Sequence, residues 1–298
     1  MTAREATRRT EVRSGVVHWF DGAARDLPWR APDRTAWGVL VSEVMLQQTP
    51  VVRVEPAWRA WLEQWPTPAD LANATTADVL RAWGRLGYPR RALRLQECAR
   101  VVVERHGGMV PSAEAELRDL PGVGEYTAAA VLAFAYGKRS VVVDTNVRRV
   151  LARAVGGTAL PAPSYTAAER ALATALAPDG DTDAARWAAA SMELGALVCT
   201  AKAPKCGVCP VAALCAWRQA GSPPDAHADR RRTQAWAGTD RQARGRVMAE
   251  LRQADEPVDR VLLTSLWHDP RQLDRAIAGL VEDGLAEQDE AGRLHLPR

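Results

Sequence analysis

Four cysteines in one short segment constrain the fold of this chain more than any other feature of its sequence. They are spaced C-x6-C-x2-C-x5-C, at Cys199, Cys206, Cys209 and Cys215. Soft sulfur ligands at such short spacing bind either a tetrahedral zinc ion or a [4Fe-4S] cluster. Because zinc usually recruits two C-x2-C pairs and this segment has one, the spacing favours the iron–sulfur cluster. The remaining cysteine, Cys98, stands on an apolar helical stretch and is expected to serve in packing.

Composition places the chain among ordinary globular proteins. It has 298 residues, of which 47% are hydrophobic and 25% charged, a size that suits two or three small domains. No apolar run approaches the ~18 residues of a membrane span, and the arginine-containing N-terminus lacks the apolar core of a signal peptide. We therefore expect a cytoplasmic protein with no membrane partner. The net charge of +3 permits a nucleic-acid partner without requiring one.

A glycine-containing turn leads into an Ala-rich helical stretch at residues 120–131. Gly122 and Gly124, on either side of Val123, are expected to let the backbone turn where a Cβ would clash. The helix that follows has unpaired N–H groups and a positive dipole end, so a phosphate can bind on the amides of the turn. An ordinary corner between two helices would show the same short pattern, and the turn alone leaves both interpretations open.

A carboxyl group is set into an apolar helix at residues 37–48. Hydrophobic residues leave this helix almost no polar face, so we expect it to be buried. Glu43 lies within the apolar surface, where desolvation would penalise the ionised form and raise the proton affinity of the carboxylate. This makes Glu43 a candidate functional acid, and the alternative is a structural ion pair with a nearby arginine.

Two further polar positions have both a functional and a structural interpretation. Asp144 follows an apolar run at 141–143, which is too short to identify as a strand, and precedes a helical stretch. It is therefore either a functional carboxylate or the N-cap of that helix. Lys202 and Lys205 lie in the first loop between the clustered cysteines, where they either meet phosphate or stay solvated.

The character of the chain changes after the cysteines. Residues 219–236 contain Gly221, Pro223 and Pro224 and reach into a basic triplet, which indicates a linker. Residues 237–298 contain three helical stretches, a turn and a short final run. This order predicts a small winged-helix-like domain, although a generic helical tail would have a similar pattern.

Four motifs in this order resemble those of the helix-hairpin-helix base excision glycosylases, and within them the MutY-type adenine DNA glycosylases. They are Ser-Glu-Val-Met-Leu-Gln-Gln-Thr at 42–49, Leu-Pro-Gly-Val-Gly at 120–124, Val-Asp-Thr-Asn-Val-Arg-Arg-Val at 143–150 and the cysteine spacing. The resemblance covers about residues 27–215. It implies an all-α fold with a six-helix barrel and its helix-hairpin-helix at 28–136, and an iron–sulfur module at 137–218 that packs with the N-terminal helix of residues 1–27.

The activity that the resemblance implies is base excision repair. A monofunctional glycosylase would hydrolyse the N-glycosidic bond of adenine mispaired with 8-oxoguanine or guanine in double-stranded DNA, after flipping the nucleotide out of the stack. Glu43 would protonate N7 of the adenine, and Asp144, facing it across a cleft, would stabilise the sugar cation. Tyr126 would hydrogen-bond the departing nucleotide. The expected DNA-binding and base-binding residues are Gln47, Gln48, Tyr88, Gly122, Val123, Gly124, Lys202 and Lys205.

Position 126 distinguishes the chain from relatives with other activities. In endonuclease III-like lyases a lysine follows Leu-Pro-Gly-Val-Gly-x and attacks the sugar. This chain has Tyr126 there, so strong lyase activity is not expected. A tyrosine is also compatible with mismatch thymine or uracil glycosylases of the same superfamily, but those lack the arrangement of Glu43, Gln47 and Gln48. We expect the enzyme to act as a monomer at the nucleoid.

Two departures from the MutY pattern affect the prediction of specificity. The Gly-Tyr-Tyr signature reads Gly87-Tyr88-Pro89 here, which leaves Tyr88 as the aromatic that would wedge into the duplex. The 83 residues after Cys215 do not resemble the Nudix-like domain with which larger MutY proteins recognise 8-oxoguanine. The preference among opposite bases therefore stays open. A non-catalytic iron–sulfur protein that only binds DNA is the alternative from a different functional class.

Overall fold

The structure is a computed structural model that describes residues 3–231 and 237–298. Residues 1–2 of the expected N-terminal segment and 232–236 of the expected linker lie outside the described residues. The described chain is mainly helical, which confirms the predicted all-α class. No helix in these two ranges is both long and apolar enough to cross a bilayer.

The elements follow one another along the chain with short connections. The helices are α1 (Ala3–Ala23), α2 (Ala36–Leu46), α3 (Val51–Gln64), α4 (Pro68–Ala72), α5 (Thr76–Trp83), α6 (Arg90–His106), α7 (Glu114–Arg118), α8 (Glu125–Tyr136), α9 (Thr145–Ala154), α10 (Ala167–Leu176), α11 (Asp181–Leu197), α12 (Ala216–Gln219), α13 (Asp240–Gln253), α14 (Arg260–Thr264) and α15 (Pro270–Glu282). Single 3-10 turns lie at Pro28–Arg30, Cys206–Val208 and Ala228–Arg230. The strands β1 (Glu287–Gln288) and β2 (Leu294–His295) form an antiparallel hairpin.

The chain divides into two compact units, which are described separately. The first unit comprises Met1–Val39, Ser112–Ala115 and Val123–Arg232, and the second comprises Leu40–Pro111, Glu116–Gly122 and Thr233–Arg298. The division of the chain into the domains expected from the sequence stays a prediction.

The first unit has a core between α1, α9 and α11. Val16 of α1, Val150 of α9 and Leu194 of α11 are each no more than 1% exposed and belong to one hydrophobic cluster. Gly195 lets α11 approach the start of α9 closely, because a Cβ there would lie 2.7 Å from the Cβ of Asn146. The small residue on α11 therefore fixes the position of the N-terminal turn of α9.

A buried ion-pair network ties the segment after α1 to α11. Glu193 is fully buried and accepts hydrogen bonds from Arg25 Nε at 2.7 Å and Arg30 Nη2 at 3.0 Å. Burial alone would raise the pKa of Glu193, but the hydrogen bonds and charge of the two arginines outweigh it and lower the pKa to about 2.

We expect Glu193→Gln to remove the acid-sensitive part of the stability of the first unit. The pKa is depressed in the folded state, so the pair stabilises the protein above the unfolded pKa of about 4.3 and loses this contribution as the pH falls toward about 2. The variant should lose about 3 kcal/mol at pH 7 and show a flatter decline below pH 5 in urea unfolding followed by circular dichroism. Glu55→Gln, which breaks the exposed pair with Arg59, should cost less than ~0.5 kcal/mol. Equal losses from both variants would contradict this account.

The second unit is built around tryptophans of α3 and α5. The ring of Trp61 lies 4.7 Å from that of Trp65 and 5.7 Å from that of Trp83, in both cases edge to face. Trp61 and Trp83 are no more than 1% exposed. Aromatic pairs in this geometry contribute about 0.5–1.5 kcal/mol beyond the area they bury, so they help to hold the turn after α5 in place.

The C-terminal part of the second unit has the element order expected from the sequence. Helices α13, α14 and α15 are followed by the β1–β2 hairpin, and Leu294 of β2 also pairs through its backbone with Val258. Met248, Leu263 and Leu280 are buried between these elements. The assignment of this part as a winged helix stays a prediction.

Candidate active site and cysteine centre

Glu43 lies on the buried part of α2. Glu43 is only 5% exposed, and the neighbouring Ser42 and Val41 are fully buried. The prediction of a buried helix is therefore confirmed. A carboxyl group in such surroundings is costly to ionise unless it is paired or hydrogen-bonded, which suits a group that holds and releases a proton.

Gln47 and Gln48 lie beyond the end of α2. The helix ends at Leu46, two residues before the predicted end, and Thr49 N donates to Leu46 O at 3.2 Å across the turn. Gln48 is exposed and has a φ of +56°, in the left-handed region that non-glycine residues seldom adopt. The turn therefore presents the Gln48 amide outward, while Gln47 is half-buried.

Arg91 of α6 organises the end of the Glu43 helix. Its guanidinium donates to the carbonyl oxygens of Val44 at 2.8 Å, Gln47 at 2.6 Å and Gly87 at 3.0 Å, and to Thr49 Oγ1 at 3.2 Å. Burial lowers its pKa to about 10, which leaves it charged at neutral pH. Nothing in the sequence pattern marks Arg91, because an arginine on a helix is ordinarily solvated.

Tyr88 occupies an unusual turn between α5 and α6. It has a φ of +48°, follows Gly87 at +81°, and its side chain is 40% exposed. The left-handed conformation is strained for a bulky residue. The structure therefore presents an aromatic ring at the surface on a constrained backbone.

The hairpin between α7 and α8 contains the glycine turn. Gly122 has a φ of +78°, and a Cβ there would lie 3.0 Å from the Cβ of Arg94, so this glycine is required. The same prediction for Gly124 is wrong, because its φ is −91° and an added Cβ would meet nothing within 4 Å. Gly124 is instead the N-cap of α8 without a side-chain hydrogen bond to the helix. A helix N-terminus capped by a glycine next to Val123 suits the approach of a phosphate.

Tyr126 lies in the first turn of α8. It is half-buried and packs against a small cluster that includes Ala129, Ala130 and Val142. Packing of the ring base fixes the direction of the side chain, while the partial exposure leaves its edge accessible.

Asp144 is the N-cap of α9, so the structural interpretation of this residue is confirmed. Its Oδ1 accepts from Val147 N at 2.7 Å and its Oδ2 accepts from Asn146 Nδ2 at 2.7 Å. Burial raises the pKa of Asp144, and these hydrogen bonds together with the charge of Arg149 oppose the rise. Each carboxylate oxygen keeps a lone pair, since an ionised carboxylate has about four acceptor sites. Capping therefore does not exclude a second, electrostatic role.

The four clustered cysteines lie in the loop after α11 as free thiols. Burial raises the pKa of the Cys209 thiol, and charge on Cys199, Cys215 or Cys206 raises it further. Among the residues that the structure describes, no group of three or more His, Cys, Asp or Glu side chains is arranged to hold a metal ion. The chemistry of the donor set, four cysteines spaced C-x6-C-x2-C-x5-C with no disulfide among the described residues, fits a centre that requires four thiolates.

Two arginines of α9 support the cysteine loop. Arg153 is 3% exposed and donates to Thr200 O at 2.7 Å and Ala201 O at 3.0 Å, while Arg149 donates to Cys199 O at 2.6 Å. The helix capped by Asp144 is thus tied to the loop that carries the thiols. The only sequence sign of this link is the i, i+4 spacing of the two arginines. Lys202 and Lys205 are exposed in the same loop.

Comparison with known families gives two matches. Residues 41–178 match the model of the HhH-GPD superfamily of base excision DNA repair proteins, and residues 199–215 match the iron–sulfur binding domain of endonuclease III. The second match covers the loop of the four cysteines, which supports a [4Fe-4S] cluster in preference to zinc.

Several curated proteins are similar to the chain over much of its length. It is 53% identical to the adenine DNA glycosylase of Mycolicibacterium smegmatis, over 94% of each chain. It is 51% identical to the adenine DNA glycosylase of Mycobacterium tuberculosis, over 95% of this chain and 93% of that protein. The human adenine DNA glycosylase is 44% identical over 72% of this chain and 41% of its own length.

Solved structures show the same fold. A thermostable thymine-DNA glycosylase superposes with a TM-score of 0.63 at 28% identity, over 72% of this chain and 98% of that chain. Endonuclease III trapped on DNA superposes with a TM-score of 0.63 at 22% identity, over 75% of this chain and 100% of that chain. The second likeness supports the fold alone.

Proposed function

Since this chain belongs to the adenine DNA glycosylases of the helix-hairpin-helix base excision repair superfamily, we propose that it excises adenine mispaired with 8-oxoguanine or guanine in double-stranded DNA. The observation that carries the proposal is the 53% identity to an adenine DNA glycosylase over 94% of both chains. The burial of Glu43 supports it, because an apolar environment favours the protonated form of a carboxyl group, as an acid catalyst requires. We further propose that the enzyme works as a monomer, in the cytoplasm at the nucleoid.

Access to the target bond requires that the nucleotide leave the stack. Flipping costs a few kcal/mol, which contacts to the backbone must offset. The N-terminus of α8 beside Val123 and Gly124 would bind a phosphate near the target, and Lys202 and Lys205 would add charge from the cysteine loop. The amides of Gln47 and Gln48 would hydrogen-bond base edges.

Hydrolysis then proceeds through departure of a protonated base. Glu43 would transfer a proton to N7 of adenine, which allows the bond between C1′ and N9 to break with its electron pair going to the base. The positive charge left on the sugar would be stabilised by ionised Asp144. Glu43, now a carboxylate, would take a proton from the water that attacks C1′. Tyr126 would hydrogen-bond the nucleotide as it departs.

The cysteine centre would hold the catalytic helices in place. Cys199, Cys206, Cys209 and Cys215 would hold the [4Fe-4S] cluster through their thiolates, and a bound cluster would cross-link the loop that carries them. Through Arg149 and Arg153 the same loop contacts α9, which begins after Asp144. The loop would therefore stabilise the N-terminal turn that orients the Asp144 carboxylate.

We expect single-turnover cleavage assays, with alkali added after incubation, to show strand breaks at adenine opposite 8-oxoguanine and opposite guanine, and slow or no breaks opposite thymine. Duplexes with thymine or uracil opposite guanine test the alternative mismatch glycosylase. Faster release of thymine or uracil than of adenine would favour that alternative. Tight binding without strand breaks in any duplex would support a non-catalytic DNA-binding protein.

A further inference from the structure

The turn that carries Tyr88 is held in a strained conformation by its own unit. A residue before proline favours an extended backbone, yet Tyr88 precedes Pro89 with a φ of +48°. Trp83 Nε1 and Arg91 Nη2 both donate to the carbonyl oxygen of Gly87, at 2.9 and 3.0 Å. Strain that persists because the surroundings fix it is typical of functional positions.

The C-terminal part of the second unit reaches the same aromatic ring. The guanidinium carbon of Arg241, on the first turn of α13, lies 4.2 Å from the centroid of the Tyr88 ring. Arg91 lies at 5.5 Å from the same centroid. Both distances are within the range of cation–π interaction, and the contact of Arg241 is the closer of the two.

Helix α13 is itself fixed against α5 and α6, so the position of Arg241 is determined. Arg244 and Arg90 share the carboxylate of Asp283, and Arg252 Nε donates to Leu80 O at 3.0 Å. At 100° per residue, positions 241, 244 and 252 fall on one face of α13. Arg241, Arg244 and Arg252 are each half-buried, and burial lowers the pKa of Arg252, so this face of the helix packs against the rest of the unit.

From this arrangement we infer that Arg241 is a positioning residue for Tyr88, and that through it the C-terminal part of the chain takes part in recognition of the mispair. The inference rests on the proposed function and on the expectation from the sequence that Tyr88 wedges into the duplex beside the mispaired bases. A ring held at a defined angle by a guanidinium loses less freedom on insertion than a mobile ring. Residues 237–298 would then contribute to recognition of the opposite base, a function that the Nudix-like domain serves in larger MutY proteins.

The test compares Arg241→Ala and Arg241→Lys with Arg246→Ala in the full-length protein. Arg246 is exposed on the same helix and serves as the matched control.

Insertion of the Tyr88 ring is measured by 2-aminopurine fluorescence, with the probe placed beside the mispair in either strand. The target is 2′-fluoro-deoxyadenosine, whose fluorine destabilises the sugar cation and prevents cleavage. Excision rates from A:G and A:8-oxoguanine duplexes are measured in parallel, and thermal unfolding checks that each variant is folded.

We expect Arg241→Ala to reduce the fluorescence change and to lower the A:G excision rate roughly 3- to 10-fold, with partial recovery in Arg241→Lys and no change in Arg246→Ala. In the Tyr88→Ala background, Arg241→Ala should have no further effect. Additive effects in the double variant, or a fluorescence change equal to that of the parent protein, would overturn the inference. If Arg241→Ala does not fold, Arg241→Lys decides it, compared in the parent protein and in the Tyr88→Ala background. If the parent protein gives the fluorescence change of Tyr88 insertion but releases no adenine, the proposed function is refuted and the role of the contact between Arg241 and Tyr88 is not.

Discussion

Glu43→Gln is expected to lower the rate of adenine release about 10²- to 10⁴-fold, the range that general acid catalysis supplies. Glutamine has nearly the same shape and keeps hydrogen-bonding capacity, but it has no proton to transfer to N7. Adenine would then have to leave as an anion, without protonation at N7. Single-turnover excision from an A:8-oxoguanine duplex measures the effect, and binding to uncleavable duplex should change little, because the loss lies in the transition state.

Glu63→Gln is the matched control for this substitution. Glu63 is exposed on α3, and Glu63→Gln makes the same side-chain change in the second unit without altering a buried carboxyl group. We expect its excision rate to stay within twofold of the parent. A Glu43→Gln variant that cuts as fast as the Glu63→Gln control would rule out Glu43 as the acid. A loss confined to DNA binding would assign Glu43 to substrate binding alone.

Periodicity predicted the burial of α2 because a helix with no polar face has only one stable location. The end of that helix could not be predicted in the same way. Gln47 and Gln48 are compatible with helix, but Arg91 donates to the carbonyl oxygens of Val44 and Gln47 from 47 and 44 positions away and stabilises the chain where the helix ends. Such a long-range contact leaves no periodic sign in the local sequence.

Asp144 illustrates a different limit on prediction. The sequence offered two interpretations, N-cap and functional carboxylate, as though one excluded the other. The structure shows the cap directly, while the catalytic role stays a proposal. A cap fixes the carboxylate at the positive end of a helix, which is also a suitable place for a group that must stay negative beside a cation. Local pattern therefore cannot separate the two roles.

Arginines that bind carbonyl oxygens were the main feature that the sequence did not reveal. Arg91, Arg149 and Arg153 are chemically identical in the sequence to the many solvated arginines of this chain, and only tertiary structure distinguishes them. The cysteines were easier to interpret because four sulfur ligands at short spacing have few other uses. Prediction succeeded where the chemistry of a residue type is restrictive and failed where one residue type serves many purposes.

Arg91→Ala is expected to cost about 3–5 kcal/mol, because it removes a charged donor and leaves several carbonyl oxygens without a partner. For a unit of this size the loss corresponds to a decrease in Tm on the order of 10 °C. Excision should also fall, by roughly 100-fold at a temperature where the variant is folded, because the end of the Glu43 helix and the Tyr88 turn would both shift. Thermal unfolding and single-turnover excision measure the two effects.

Arg91→Lys and Arg105→Ala separate charge from geometry. Lysine keeps the positive charge but has no planar fork, so it cannot reach the oxygens of Val44, Gln47 and Gly87 together. We therefore expect Arg91→Lys to recover less than half of the lost stability. Arg105 is exposed near the end of the same helix, and its removal should cost less than ~0.5 kcal/mol. Full recovery by lysine would mean that Arg91 acts through its charge alone. The contacts of its planar fork with the carbonyl oxygens would then not be what positions Glu43 and Tyr88.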